Sequence, residues 1–307
     1  MTAPRQIFHA LIALTLVMNF SSCKSLTTYQ EVAEGVAKPH LMEVNGQRVF
    51  VKREGSGTPL VMLHGFAASS YSFRKLQPLL SKQFDTVAID WNGFGYTERP
   101  KESLAYTDEG QVAMLEQVLE SLGINDCVLV GHSYGAHLGL KLAEKRPDLV
   151  GRLVLVSPAL EFPKPPWHLR LAPVRWAGYP AVRLLLSSPK RFQAAYRASY
   201  LDPTDFTFDV SEEYRKRLLI EGLWHAYSAM VKSVQRGAAE AVDLQQISQP
   251  IVVIAGRHDA IVPISSIEKA IQDVPAIALK VLENSGHSSP EEEPEAVAKI
   301  VREFSGG

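Results

Sequence analysis

The sequence predicts an α/β fold built on a doubly wound, mostly parallel sheet. Three observations carry that expectation. Short apolar runs rich in Val, Ile and Leu recur at Leu60–Leu63, Thr86–Ile89, Cys127–Val130, Leu153–Val156, Ile251–Ala255 and Leu279–Leu282, as strands buried on both faces require. Stretches with helical apolar spacing lie between several of these runs. Gly, Asn, Asp and His gather just beyond the C-terminal ends of the runs, where open parallel sheets place their ligand-binding loops.

Taken in order, Leu41–Val44 and Arg48–Lys52 flank Asn45-Gly46, a strong hairpin signal. A helix is expected near Ser72–Leu80. Thr107 suits the N-cap of the next helix, whose Val112, Leu115, Val118, Leu119 and Leu122 form one apolar face and whose end Gly123 marks. Between Val156 and Ile251 the alternation stops. Residues 161–246 read as a helical, aromatic-bearing insertion after the sixth strand, splitting the core into 41–160 and 247–307. The last helix should start near Pro290, and its acidic Glu291, Glu292 and Glu293 suit a helix N-terminus without any catalytic part.

The chemistry centres on Gly131-His132-Ser133-Tyr134-Gly135, a G-x-S-x-G segment between an apolar strand and a helix running toward Arg146. A serine on such a sharp turn presents its hydroxyl above the sheet, and the glycines let backbone pack close. The turn also aims the N–H of Tyr134 at the place where an oxyanion would form. Serine is a weak nucleophile and needs a base oriented by a carboxylate. Asp259 and His287 follow two later strands, in the order Ser, Asp, His. Taken alone, Asp259 could cap the helix that Pro263 opens, and Glu161 is a rival acid. His64, His132, His137, His168 and His225 read as structural, with His64 supporting the loop after its strand.

These motifs resemble the α/β-hydrolase superfamily from Leu41 to Phe304. Leu60-Val61-Met62-Leu63-His64-Gly65-Phe66 is similar to the family's strand and oxyanion loop, which implies the N–H of Phe66 as a second donor beside Tyr134. Asp90-Trp91-Asn92-Gly93-Phe94-Gly95-Tyr96-Thr97 is similar to its D-x-x-G-x-G-x-S turn, with Thr97 in place of serine. Gly256 to Pro263 resembles its acid loop. The resemblance implies a helical cap over the site and a carboxylesterase- or lipase-like serine hydrolase acting on small or lipid-like esters. Carbon–carbon bond hydrolases, lactonases and perhydrolases share the same Ser-His-Asp set. Epoxide hydrolases and haloalkane dehalogenases look similar but use aspartate where this chain has Ser133. A catalytically silent binding protein is the alternative of another class.

The N-terminus has its own pattern. Arg5 precedes an apolar stretch from Ile7 to Phe20, too short to span a bilayer and similar to a secretory h-region. Phe20-Ser21-Ser22-Cys23 then resembles a lipoprotein processing site. The expected organisation is a signal peptide over 1–22, a lipidated Cys23 and a tether over 23–40, giving a membrane-anchored extracytoplasmic enzyme; the alternative is a soluble secreted one. Of the two cysteines, Cys127 lies within a strand and reads as a small buried apolar residue. With 307 residues, 46% hydrophobic and a net charge of −1, the composition is globular and offers no basis for nucleic-acid binding. No metal or cofactor motif appears.

Overall fold

The structure is a computed structural model that describes residues 26–35, 37–160, 172–235 and 241–306. Eight strands form one sheet: β1 (Leu41–Val44), β2 (Gln47–Gly55), β3 (Thr58–Leu63), β4 (Phe84–Ile89), β5 (Cys127–His132), β6 (Val150–Val156), β7 (Ile251–Gly256) and β8 (Ala278–Leu282). Their order is β1-β2-β4-β3-β5-β6-β7-β8. The first two strands are antiparallel, and β2 is antiparallel to β4. All later pairs are parallel. Asn45 and Gly46 both have positive φ, 49° and 81°, the conformation a tight two-residue hairpin needs.

Strand alternation divides the core between the two faces. Leu60, Met62, Val128, Val130, Val154, Val156, Val252 and Ile254 belong to one buried cluster, with Val297 and Val301 of the C-terminal helix. Val61, Leu63, Leu129, Leu153, Leu155 and Val253 belong to the other, with Val112, Leu115, Val118 and Leu119. Both sheet faces are therefore covered, which is why these strands read as continuous apolar runs.

The described helices are α1 (Tyr29–Glu34), α2 (Gln77–Leu80), α3 (Asp108–Ser121), α4 (Tyr134–Lys145), α5 (Ala172–Ser187), α6 (Pro189–Tyr196), α7 (Phe208–Leu218), α8 (Leu223–Gln235), α9 (Ile264–Ile271), α10 (Ser289–Glu292) and α11 (Pro294–Ser305). Thr107 caps α3 by accepting from the Gly110 N–H. The helix expected near Ser72–Leu80 is broken into a 3₁₀ turn, Ser70–Phe73, and the short α2. The final helix is likewise split, because Pro294 lacks the N–H a continuous helix would use. Helices α5–α8 occupy the stretch between β6 and β7. None of the helices in the described residues is long and apolar enough to cross a membrane.

The segment expected as a tether is structured from Leu26 onward. Thr27 pairs with the end of α7: its N–H donates to Leu219 O at 3.0 Å, and Glu221 N–H donates to Thr27 O at 2.9 Å. Thr28 and Glu31 form a reciprocal capping box for α1. Tyr29, Val32, Ala33 and Ala37 pack with Phe50, Tyr96 and Ile220 in a third buried cluster. The Thr-x-x-Glu signal with its apolar neighbours was legible in the sequence, but the surrounding Gly, Pro and Ser obscured it.

Candidate active site

Topology brings the nucleophile candidate and the oxyanion loop together. The chain leaves β3 for β4 on one side, while β5 lies on the other, so their C-terminal loops part at a switch point. Leu63 and Gly131 are register partners, so Gly65 and Ser133 each stand two residues past a paired position. A Cβ on Gly65 would lie 3.1 Å from Ser133 Cβ. The loop of Phe66 therefore runs directly beside Ser133. Phe66 itself is 52% exposed, its ring 5.1 Å from that of Phe94.

Ser133 occupies a sharp turn at φ 53°, ψ −116°, a region costly for a residue with a Cβ. Both flanking glycines have steric reasons. A Cβ on Gly131 would lie 2.5 Å from Ala136 Cα, and one on Gly135 would lie 2.2 Å from Leu63 O. Ser133 N–H donates to Val156 O at 2.9 Å, which ties the turn to β6. Behind it, Asp108 at the start of α3 is buried and accepts from the Tyr134 hydroxyl. His137 Nε2 lies 2.7 Å from the same carboxylate.

Asp259 and His287 are brought together. His287 Nδ1 lies 2.8 Å from Asp259 Oδ2, and both side chains are buried. The other oxygen, Asp259 Oδ1, accepts from the N–H groups of Ile261 and Val262 at 2.8 Å each. Burial pushes this carboxyl up, but the His287 hydrogen bond and charge, with the two N–H groups, hold it below the usual range. Asp259 thus serves its own loop and His287, rather than capping α9. Glu161, the rival acid, and Cys23 lie outside the described residues.

The reach of His287 is a tertiary matter. Strand β8 stands three places from β5, or roughly 14 Å at the usual strand spacing. The loop after β8 crosses that gap, so that His132 Nε2 sits 2.8 Å from His287 O. The two imidazole centroids are 4.9 Å apart. Burial, and then the charge of His287, push His132 down to about 3, so it stays neutral and donates through Nε2. His132, expected only as structural, is thus one of the supports of the His287 loop.

Residues 58–294 match the alpha/beta hydrolase fold. The chain belongs to that family. It is similar to the uncharacterized hydrolase YugF of Bacillus subtilis (strain 168), 28% identical over 284 residues, covering 88% of this chain and 99% of that protein. It is also similar to 2-hydroxymuconate semialdehyde hydrolase of Pseudomonas putida, 28% identical, with 84% and 91% covered. Soluble epoxide hydrolase of Corynebacterium sp. (strain C12) is 27% identical, with 86% and 96% covered. Among solved structures, an esterase of Thermogutta terrifontis shares the fold with a TM-score of 0.67 at 22% identity, covering 87% of this chain and 96% of that one.

In this α/β-hydrolase, the Asp90–Thr97 turn after β4 is structural. Asp90 accepts from the N–H groups of Ser70 at 2.6 Å and Tyr96 at 2.8 Å. Thr97 donates to Asp90 O and accepts from Phe50 N–H, so its hydroxyl serves without the extra methyl interfering. His64 is fully buried, stacks on Trp91 and bonds Gly65 O through Nδ1 at 2.8 Å. Burial lowers its pKa.

The acidic run after His287 opens α10 as expected, and two of its members also make tertiary contacts. Glu291 is buried and receives both the Tyr214 hydroxyl of α7 and the Arg74 guanidinium. Glu292 accepts from Gly286 N–H at 3.0 Å and from Leu201 N–H at 2.6 Å. The run reads from sequence as suited to a helix N-terminus, and only the fold shows which donors Glu291 and Glu292 accept from. Among the described residues, no group of three or more His, Cys, Asp or Glu could hold a metal ion.

Proposed function

We propose that the chain is a serine hydrolase of carboxylic esters that works through an acyl-enzyme on Ser133. The observation that carries the reading is His287, bonded to Asp259 and delivered across two intervening strands to the residue beside Ser133. Ser133 Oγ attacks the acyl carbon while His287 Nε2 takes its proton. The carbonyl oxygen gathers negative charge, which the N–H groups of Phe66 and Tyr134 stabilise, each worth about 3 kcal/mol. The intermediate collapses, the alcohol leaves with the proton from His287, and water repeats the sequence on the acyl-enzyme. Asp259 stays ionised and stabilises the imidazolium.

A second reading is carbon–carbon bond hydrolysis, favoured by the likeness to 2-hydroxymuconate semialdehyde hydrolase over most of both chains. Epoxide opening through an enzyme aspartate is disfavoured by the serine at position 133. A panel of p-nitrophenyl esters of graded chain length, run beside lactones and a vinylogous diketone, separates these. The ester reading expects ester turnover to dominate. Turnover of the diketone alone would replace it with the second reading. Silence on every substrate, with no fluorophosphonate labelling, would indicate a binding protein. The reading also includes lipidation at Cys23 and an extracytoplasmic location, supported by the sequence pattern alone. Mass spectrometry of the native N-terminus tests it, and a free, unmodified Cys23 would overturn it.

A further inference from the structure

We propose that Glu292 is a positioning residue for His287 that makes cap docking and placement of the base a single event. The proposal rests on the serine-hydrolase reading above and deepens it.

The loop carrying His287 is not held by the sheet alone. The 3₁₀ turn Arg197–Ser199, which follows α6, lies directly on it. Ser199 O accepts from His287 N–H at 2.9 Å and from Ser288 N–H at 3.1 Å. At Gly286 the two backbones leave no room for a side chain. A Cβ there would lie 2.9 Å from Leu201 N and 3.2 Å from Ser199 O, so the contact requires a residue without one.

Glu292 closes this junction from the other side. One carboxylate oxygen takes the N–H of Leu201, from the cap. The other takes the N–H of Gly286, immediately before His287, and lies 3.4 Å from Ser285 Oγ. One ionised side chain thus satisfies a donor on each of the two segments. It forms no hydrogen bond with His287, so its influence travels through Gly286. Only the carboxylate can do this. A glutamine keeps the shape, but its NH₂ would face one of the two N–H donors, and two donors repel. An aspartate keeps the charge but falls short by a methylene.

The consequence is kinetic. The base must sit within hydrogen-bond reach of Ser133, and a displacement of about 1 Å can cost on the order of a hundredfold. In the full-length protein, Glu292→Gln is expected to lower kcat on a p-nitrophenyl ester about ten- to a hundredfold, with KM changed less than about threefold. The rate of fluorophosphonate labelling should fall by the same factor. In a His287→Ala background the same substitution should change nothing further, because its only route to the chemistry has gone. Glu292→Asp provides the same test if the Gln variant does not fold.

Wild-type labelling rates in folded Glu292→Gln or Glu292→Asp, with Ser133→Ala unlabelled, would overturn the proposal alone. Multiplicative losses in the His287→Ala background would also overturn it, because Glu292 would then act elsewhere. Absence of labelling in the wild type, with Ser133→Ala no less active, would instead overturn the serine-hydrolase reading beneath it.

Discussion

The turn at Ser133 and the loop at His287 face the same space but are built in opposite ways. The turn is a local object. Its strained serine and its two sterically required glycines lie within one pentapeptide, which packs against Leu63 of β3 and is tied to Val156 of β6. The His287 loop is held almost entirely from outside. Asp259, His132 and Ser199 come from the loop after β7, from β5 and from the 3₁₀ turn after α6, while Glu292 reaches back from α10 nearby in the chain, and each holds the loop at a different place. Strain stored in a turn travels with its sequence, whereas a side chain held by remote partners is only as well placed as the fold that brings them together.

The largest effects should come from the local object. Ser133→Ala keeps the turn and removes the proposed nucleophile, so kcat should fall on the order of 10⁶-fold with the melting temperature nearly unchanged. Substantial ester turnover by the pure variant would break the comparison at its centre. Asp259→Asn tests the first remote support. It leaves His287 in place but favours the wrong tautomer, and a loss of about 10⁴-fold is expected in steady-state kcat. A mild Asp259→Asn beside a severe Glu161→Gln would show that the acid lies elsewhere.

Truncation tests a support farther out. A chain starting at Lys38 loses Tyr29, Val32, Ala33 and Ala37 from the cluster with Phe50, Tyr96 and Ile220. Burial of the two larger side chains alone suggests a loss of roughly 3–5 kcal/mol, measurable by urea unfolding. Thr27 also stops pairing with Leu219 and Glu221 between α7 and α8. A truncated protein as stable as the full chain would mean that this end contributes nothing to the fold.

The smallest effect concerns pH. His132 is held near 3 in the folded protein against an ordinary 6.5. Below pH 6.5 the unfolded chain therefore takes up a proton that the folded one refuses, and stability falls as pH drops toward 3. The slope is about 1.4 kcal/mol per pH unit for this group. His132→Asn should flatten the decline between pH 6.5 and 5 in urea titrations, while costing about 1 kcal/mol at pH 7 through the bond to His287 O. An unchanged slope would show that His132 titrates normally.

Much of this protein was legible without coordinates, because its determinants are periodic or contiguous. Apolar runs spelled out the parallel strands, Asn45-Gly46 marked the hairpin, and Thr107 and Gly123 bounded α3. Gly131 to Gly135 announced a serine on a strand-to-helix turn. Asp259 and His287 could be named because both follow strands, and their pairing follows from the neighbouring places of β7 and β8. What the sequence could not disclose depends on segments distant in the chain meeting in space. His132 supports His287 only because the loop after β8 arches back past β7 and β6. Glu291 and Glu292 read only as an acidic helix start until α7 and the turn after α6 bring Tyr214 and Leu201 to them. The segment from Thr27 to Ala37 looks like a linker until Phe50, Tyr96 and Ile220 offer it a surface. Periodicity records which face of an element is buried, but a hydrogen bond between residues 90 or 150 positions apart leaves no trace in either neighbourhood.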